Sequence, residues 1–181
     1  LPDGGAGQFA ATILAIKREN PNTTVEVLIP DFKGEDTPLQ QVISAAPDVI
    51  NHNLETVPRI YSSVRPGAAY KQSLRLLKNA SLACPEQPIT TKSGLMRGLG
   101  ETQDEVVMVM KDLLQAGCQI LTMGQYLRPS PQHHPIIEYV HPDVFDQLAE
   151  IGRELGFKNV VAGPLVRSSY HAGESFAATT A

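Results

Sequence analysis

Residues 88–123, PITTKSGLMRGLGETQDEVVMVMKDLLQAGCQILTM, determine the fold class, because their pattern predicts a strand, a helix and a second strand in succession. The first strand is predicted from Pro88 to Met96, the helix from Gln103 to Ala116 and the second strand from Gln119 to Met123. Two strands joined by a helix are typical of a βαβ unit, in which both strands lie parallel in one sheet.

The same alternation continues on both sides of this unit. Strands are predicted at 24–29, 48–53 and 159–162, and helices at 9–18, 37–45, 70–80 and 144–155. About five βα repeats without a linker predict a single α/β domain over residues 1–181, with 163–181 as a C-terminal motif and tail. A complete eight-stranded barrel takes about 250 residues. We therefore predict a partial parallel (β/α) barrel, truncated at its N-terminal side because no strand precedes the first loop.

The composition argues against several classes of function. The chain has 181 residues and a formal net charge of -4, whereas a nucleic-acid groove needs clustered Lys and Arg. No apolar run reaches the length that crosses a bilayer, so neither nucleic acid nor membrane is an expected partner. Cys84 and Cys118 form neither a CxxC nor a zinc pattern. Two buried reduced thiols are predicted, with a disulfide as the alternative.

Polar side chains recur where the predicted strands end. They are Asp31, residues 51–55, Glu101, Gln125 and Arg167. The carboxyl ends of the strands form the edge at which (β/α) barrels build their sites. We therefore predict that the functional site lies at this edge.

Two motifs in the first third of the chain leave alternatives open. DGGA (3–6) precedes a helix, where paired glycines form either a plain turn or a close approach of backbone N–H groups to a ligand. NHNLET (51–56) places polar side chains at the end of an apolar strand, and such groups are costly to bury without partners. They face either solvent, around a helix N-cap, or a polar ligand. His52 is either part of this site or a packed core histidine.

Three further motifs follow along the chain. GLMRGLGE (94–101) runs from a strand into a Gly-rich turn, and its Glu101 suits the first turn of a helix. The adjacent histidines of residues 122–135 diverge and lack a third ligand at suitable spacing, which favours a loop over a metal site. GPLVRSSYHA (163–172) begins with a Gly-Pro pair that ends the last strand. Its polar residues form either a surface turn or a loop that closes over a charged or metallic group.

These motifs, with TKSGLMRGLGET (91–102) and GQYLRPSPQHHP (124–135), resemble lipoyl synthase, a family of radical S-adenosylmethionine (SAM) enzymes. The resemblance extends from Leu1 to about Phe176. It implies a partial barrel of the radical SAM type and the insertion of sulfur at two carbons of an octanoyl chain. The octanoyl group is carried on a lysine of another protein, so octanoylated lipoyl-carrier protein domains are the implied partners.

The resemblance also implies roles for individual residues, with no catalytic side chain among them. SAM binding is implied for Gly4, Gly5, Asn51, Asn53, Glu55, Gly98 and Arg167. The glycine pair of residues 4–5 would hold the amino group of SAM, and Asn53 and Glu55 its ribose or methionyl part. Gly98 would let the backbone approach the ligand closely, and Arg167 would position nearby groups.

Two [4Fe–4S] clusters are implied for the full-length family. Ser169, with Ser168 as the alternative, is implied as an oxygen ligand of the auxiliary cluster, although oxygen is a poor match to a soft site. The family's cysteine triads lie upstream of the LPDGG loop, and neither Cys84 nor Cys118 is at a matching position. We therefore expect this chain alone to hold no cluster and to have no radical activity.

The resemblance leaves three hypotheses for the function of this chain. The first is the C-terminal portion of a lipoyl synthase, although Ala69 stands where that family usually has Asp. The second is a non-enzymatic module without clusters that keeps the carrier-docking surface. The third is an ordinary βα-barrel enzyme that uses Asp31, Glu55 or Glu101 as acid or base. The expected compartment is the cytoplasm for a bacterial protein and the mitochondrion or plastid for a eukaryotic one.

Overall fold

A five-stranded parallel sheet forms the centre of the computed structural model, which describes residues 1–83, 86 and 88–180. The strands are β1 (Glu26–Leu28), β2 (Val49–Asn51), β3 (Thr90–Arg97), β4 (Ile120–Gln125) and β5 (Asn159–Ala162). They lie in the order β1-β2-β3-β4-β5, and each pairs in parallel with the next. The predicted α/β class is therefore confirmed.

Five of the α-helices form one layer against this sheet. In the described part of the chain the α-helices are α1 (Ala6–Glu19), α2 (Asp36–Ser44), α3 (Tyr61–Val64), α4 (Tyr70–Leu82), α5 (Gln103–Gln115), α6 (Pro142–Leu155) and α7 (Ala172–Thr180). Contacts run from α1 to α2, α2 to α4, α4 to α5 and α5 to α6, so these five helices make a continuous layer. None of the helices in these ranges has both the length and the apolar character that a bilayer span requires.

The strand order separates this fold from a doubly wound sheet. In a doubly wound sheet the strand order reverses at a switch point, and helices cover both faces. A sequential order with one helical layer is instead the arrangement of a (β/α) barrel wall, with five of its eight strands. The predicted partial parallel barrel is confirmed, and the assignment of 1–181 to a single domain stays a prediction.

Two apolar clusters fill the space between the sheet and the helices. The larger cluster packs Leu121 of β4 against Met110 of α5 and Phe145 of α6. The second packs Ile50 of β2 against Ile13 of α1. All five side chains are fully buried, and burial of such a side chain contributes roughly 1.5–3 kcal/mol. These clusters fix the ends of the strands in space and thereby position the loops that follow them.

The other face of the sheet carries a polar cluster. Lys92 of β3 is fully buried, and its Nζ lies 2.9 Å from Oε1 of Glu26 on β1. Asn51 of β2, the strand between them, donates from Nδ2 to the same oxygen at 3.2 Å. Successive side chains of a strand point to opposite faces, so the apolar neighbours of these residues face the helices.

The helix α7 was not predicted from the sequence. Its segment AGESFAATT has one large apolar side chain, Phe176, so it lacks the apolar periodicity of an amphipathic helix. Phe176 lies beside Ile89 and Val49, at the amino-terminal edge of the sheet. The Nδ2 atom of Asn159 also donates to the carbonyl of Ser175 at 3.4 Å. The C-terminal segment therefore covers the edge opposite the predicted site.

Candidate functional site

A cavity of about 280 Å³ lies at the carboxyl edge of the sheet. Its walls come from the segment after β2, from the ends of β3 and β4, and from the loop after β5. Of the residues predicted to bind a ligand, it is lined by Asn53, Glu55 and Arg167, together with Ser168. These residues come from two segments more than a hundred positions apart, so the structure brings together side chains that are distant in sequence.

Glu55 is held in this wall by an unusual backbone conformation. Its φ is 70°, a left-handed value that costs energy for a residue with a side chain. Its N–H donates to the carbonyl of Gly94 at 2.9 Å, and its carbonyl accepts from the N–H of Met96 at 2.7 Å. Burial raises the pKa of Glu55, while a hydrogen bond from Asn53 and the charge of Arg65 oppose that rise. Backbone strain of this kind is found preferentially at functional sites.

Asn53 offers an unused acceptor in the cavity wall. Its Oδ1 is buried and has no hydrogen-bond partner among the described residues. A Cβ placed on Gly94 would lie 2.8 Å from that oxygen and 3.1 Å from Oγ1 of Thr122. Glycine at position 94 therefore leaves room for Asn53, and a ligand donor would satisfy its free oxygen.

The loop after β5 closes the cavity because it packs directly on the backbone of β4. The N–H of Gly163 donates to the carbonyl of Met123 at 3.1 Å. A Cβ on Gly124 would clash with the carbonyl oxygen of Val166. This close approach places Arg167 and Ser168 in the cavity wall.

The two serines of this loop differ in position. Ser168 is half-buried and lines the cavity, whereas Ser169 is exposed and does not line it. The sequence prediction named Ser169 as a metal ligand and Ser168 as the alternative. The geometry favours Ser168 as the serine whose hydroxyl group faces the cavity. Coordination of a metal by either serine stays a prediction.

Gly98 is surrounded by protein in this structure. Its φ is 95°, and a Cβ there would clash with the carbonyl oxygen of Glu138. The carboxylate of Glu101 accepts from the N–H groups of Gly98 at 2.8 Å and Leu99 at 2.9 Å, and from Nε of Arg97 at 2.7 Å. The turn therefore satisfies the N–H groups of Gly98 and Leu99 from within. The geometry gives Gly98 a packing role, and its predicted contact with SAM stays a prediction.

The turn at Gly4 and Gly5 is similarly satisfied from within. Oδ1 of Asp3 accepts from the N–H of Gly5 at 2.9 Å, and its Oδ2 accepts from the N–H of Gly7 at 2.9 Å. These backbone donors lower the pKa of Asp3. Both glycines have positive φ, which explains the residue type without a ligand. The predicted SAM contact of this pair stays a prediction.

A second cavity, of about 230 Å³, adjoins the first. Asn53 and Glu55 line both cavities, and Arg65, Leu28 and Pro30 belong to the second. The segment that holds Asn53 and Glu55 is therefore the wall between the two spaces. Sequence reasoning missed Arg65, because it lies in a loop outside the motif and reaches the wall only in the folded chain.

Other predicted candidates lie away from the cavity. Asn51 is absent from its lining and binds Glu26 on the inner face of the sheet instead. Of the two adjacent histidines, His134 donates from Nε2 to the carbonyl of Leu99 at 3.0 Å, because a carbonyl can only accept. Among the described residues, no three His, Cys, Asp or Glu side chains are grouped as metal ligands.

The position of Cys118 agrees with a buried thiol. Its Sγ lies 3.3 Å from the carbonyl oxygen of Ile120, the first residue of β4, and thus at the amino-terminal edge. Burial raises the pKa of the thiol to about 12, so it stays protonated at neutral pH. Cys84 lies outside the described residues, and its predicted state stays a prediction.

The fold and the cavity define an α/β protein of the partial (β/α)-barrel class, with a cavity at the carboxyl edge of the strands. Solved structures of the same fold include methylornithine synthase, with a TM-score of 0.62 and 11% identity over 89% of this chain and 54% of that chain. Hydroxymethylglutaryl-CoA lyase from Pseudomonas aeruginosa has a TM-score of 0.57 and 14% identity over 94% of this chain and 53% of that chain. No protein-family model matches this sequence.

The curated relatives are lipoyl synthases. Identity is 58% to that of Caldanaerobacter subterraneus subsp. tengcongensis, over 95% of this chain and 60% of the relative. The lipoyl synthase of Caldicellulosiruptor saccharolyticus is 54% identical, over 97% of this chain and 61% of the relative. That of Hahella chejuensis is 53% identical, over 99% of this chain and 54% of the relative. The predicted resemblance to lipoyl synthase is therefore confirmed over nearly the whole chain. The chain spans 54–61% of the length of these relatives.

Proposed function

We propose that this chain forms the SAM-binding and substrate-facing part of a lipoyl synthase, which inserts sulfur at two carbons of a protein-bound octanoyl chain. The observation that carries the proposal is the convergence of Asn53, Glu55 and Arg167 on one cavity at the carboxyl edge. The identity of 51–58% to lipoyl synthases supports the choice of reaction. The chain covers only part of those relatives, so the activity belongs to the proposal for the whole protein.

The donor set of the cavity fits SAM. SAM carries an ammonium group, a carboxylate, ribose hydroxyls and an adenine ring. The carboxylate of Glu55 and the free Oδ1 of Asn53 accept hydrogen bonds, and the guanidinium of Arg167 suits a carboxylate. Leu95 and Met96 give the same cavity an apolar surface for the ring. When bound, SAM supplies the group that abstracts hydrogen from carbon in the proposed reaction.

The residues of this chain do not by themselves fit a [4Fe–4S] cluster. Such clusters take four thiolate ligands in most proteins, and the sequence contains two cysteines. Cys118 lies at the amino-terminal edge, away from the cavity, as a buried protonated thiol. The proposed contribution of this chain is therefore binding and orientation, with Ser168 or Ser169 as a single oxygen ligand for a group held by other residues. This chain alone is proposed to be inactive.

We propose that octanoylated lipoyl-carrier domains approach this edge of the sheet. Leu127 lines the cavity and is 53% exposed, and Leu165 on the neighbouring loop is 82% exposed. Exposed leucines beside a polar cavity offer an apolar surface to an octanoyl chain. They support a carrier that presents its acyl group from solvent into the cavity.

Titration calorimetry with SAM tests the proposed site. Asn53→Ala removes the free acceptor from the wall and is expected to raise the dissociation constant about tenfold, the effect of losing one good hydrogen bond. The control is Asn79→Ala, since Nδ2 of Asn79 donates at 3.1 Å to Asp36 on the exposed helix layer. That variant is expected to bind SAM as the wild type does.

Two results would contradict the proposal. Equal affinity of the wild type, Asn53→Ala and Asn79→Ala for SAM would show that Asn53 does not contribute to SAM binding. Absence of SAM binding by the wild type, with retained binding of an octanoylated carrier domain, would favour the non-enzymatic docking module instead.

A further inference from the structure

A chain of hydrogen bonds runs beneath the wall that separates the two cavities. Nη1 of Arg65 lies 2.7 Å from Oη of Tyr61, and that Oη lies 3.1 Å from Oγ of Ser73. Oγ of Ser73 lies 2.9 Å from Nε2 of His52, and Nδ1 of His52 lies 2.9 Å from the carbonyl oxygen of Ile29. These residues come from α3, α4 and the ends of β1 and β2, so the chain joins four parts of the fold.

The chemistry of the two end groups, together with a neutral imidazole, fixes the direction of every bond. A carbonyl can only accept, so Nδ1 of His52 carries a proton and donates to Ile29. Guanidinium can only donate, so Arg65 donates to Tyr61. The neutral ring then accepts at Nε2 from the hydroxyl of Ser73, and Ser73 accepts from the hydroxyl of Tyr61. Each hydroxyl thus gives one hydrogen bond and receives one, and no donor in the chain opposes another.

The burial of these groups supports a neutral His52. His52 is 1%, Tyr61 4% and Ser73 0% exposed. Burial lowers the pKa of His52, and the charge of Arg65 lowers it further, although the carbonyl of Ile29 and the charge of Asp31 act in the opposite direction. The lowered pKa therefore supports the neutral ring on which the direction of the two middle bonds depends.

The hydrogen-bond chain reaches the cavity wall through Arg65. The same Nη1 that contacts Tyr61 donates to the carbonyl of Asn53 at 2.9 Å. At its other end His52 is the residue directly before Asn53. The backbone on both sides of Asn53 is therefore held by this chain, while Glu55, two residues on, has the strained φ of 70°. Such strain persists only where the surroundings hold it in place.

We propose that His52, Ser73, Tyr61 and Arg65 act as positioning residues, which hold segment 52–55 so that Asn53 and Glu55 present their side chains to a ligand. The identity of that ligand rests on the proposed function. The conformational order of segment 52–55 rests on geometry alone. A packed core histidine was one of the two alternatives that the sequence left open. The structure assigns it a further role, because its partners lead back to the cavity wall.

Two tyrosine variants separate positioning from general stability. Tyr61→Phe removes one hydroxyl of the hydrogen-bond chain and leaves the aromatic ring in place. Tyr70→Phe is the matched control: its ring packs edge-on against that of Tyr61 at 5.5 Å, but its hydroxyl donates to Asp112 at 2.8 Å, outside the chain. Amide hydrogen exchange at Glu55, whose N–H bonds to Gly94, reports the order of the segment without a ligand.

We expect Tyr61→Phe to accelerate exchange at Glu55 about fivefold beyond the change that its effect on global stability accounts for, and to raise the SAM dissociation constant about fivefold. Tyr70→Phe is expected to change neither quantity beyond its effect on global stability. The ¹⁵N resonances of His52 in the wild type should show a neutral ring with the proton on Nδ1. Equal effects of both variants on Glu55, or a His52 proton on Nε2 alone, would overturn the inference. If no protein binds SAM but only Tyr61→Phe loosens Glu55, the proposed function fails and the positioning role stands.

Discussion

Glu55 combines a place in the cavity wall with an energetic cost. The polar motif of residues 51–56 identified it as a candidate, but the sequence did not predict its left-handed backbone or its place between two cavities. Burial raises the pKa of its carboxyl group. A buried carboxyl group with a raised pKa is typical of a functional site.

Replacement of Glu55 by Gln is expected to stabilise the fold while weakening SAM binding. The folded-state pKa lies above the ordinary value, so ionisation opposes folding as the pH rises through the raised pKa. Gln carries no such charge. The variant should be more stable than the wild type at neutral pH in urea denaturation, and the difference should vanish below the ordinary glutamate pKa.

Glu154→Gln is the control for this experiment, because that carboxylate lies on the exposed surface of α6. It should leave both the stability and the dissociation constant close to the wild-type values. A Glu55→Gln variant that is less stable than the wild type at neutral pH would show that the carboxylate is held favourably.

At the scale of the element, α5 is the helix whose beginning the sequence encodes most clearly. Oγ1 of Thr102 accepts from the N–H of Glu105 at 3.2 Å, and the carboxylate of Glu105 accepts from the N–H of Thr102 at 2.8 Å. Nε of Arg59 also donates to Glu105 at 2.7 Å. This capping box follows directly after the GLGE turn and thus anchors the edge of the site.

Thr102→Ala is expected to lower the free energy of unfolding by about 1 kcal/mol, the usual cost of losing an N-cap side chain. Thr12→Ala on α1 is the control, since its hydroxyl bonds to the carbonyl of Gln8 in a helix interior and on the surface. Urea denaturation of both variants measures the difference. Equal stability of the two would show that the cap contributes nothing.

The same helix predicts a pH dependence. Hydrogen bonds from Arg59 and from the N–H of Thr102 lower the pKa of Glu105 to about 2. The sign follows from a depressed pKa: this stabilisation is complete above the ordinary glutamate value near 4.5 and is lost as the pH falls toward about 2. In Glu105→Gln the part of the acid destabilisation that belongs to this group should disappear.

At the scale of the whole molecule, the pair of Glu26 and Lys92 ties β1 to β3 across β2. The two residues are separated by 66 positions, and Lys92 is fully buried while the Glu26 side chain is 19% exposed. A buried charge without its partner is strongly destabilising. Loss of Glu26 is therefore expected to lower the free energy of unfolding more than loss of Lys92.

Glu26→Gln is expected to destabilise the protein by about 3 kcal/mol, because it leaves the buried ammonium group of Lys92 uncompensated. Lys92→Met should cost less, since Glu26 can turn toward solvent, and the double variant should recover most of the loss. Urea denaturation of the four proteins gives the coupling energy of the pair. Additive effects of the two single variants would rule out a specific interaction.

The sequence predicted the elements better than it predicted their side-chain contacts. The alternation of apolar strands and helices gave the parallel sheet, because periodicity and turn residues act over short stretches. It failed for α7, whose small residues carry little periodicity and whose order depends on Phe176 packing against other segments. The motif of residues 51–56 indicated a polar site, although it treated Asn51 and Asn53 alike.

What local pattern established about this protein is therefore its βα order, its likeness to lipoyl synthase and the set of candidate site residues. The folded chain alone showed that Asn53 and Ser168 line the cavity, that Asn51 and Ser169 do not, and that Lys92 pairs with Glu26. The physical reason is the range of the interactions. Propensity and periodicity depend on neighbours in sequence, whereas the position of a side chain at a sheet edge depends on strand register and on packing between distant segments.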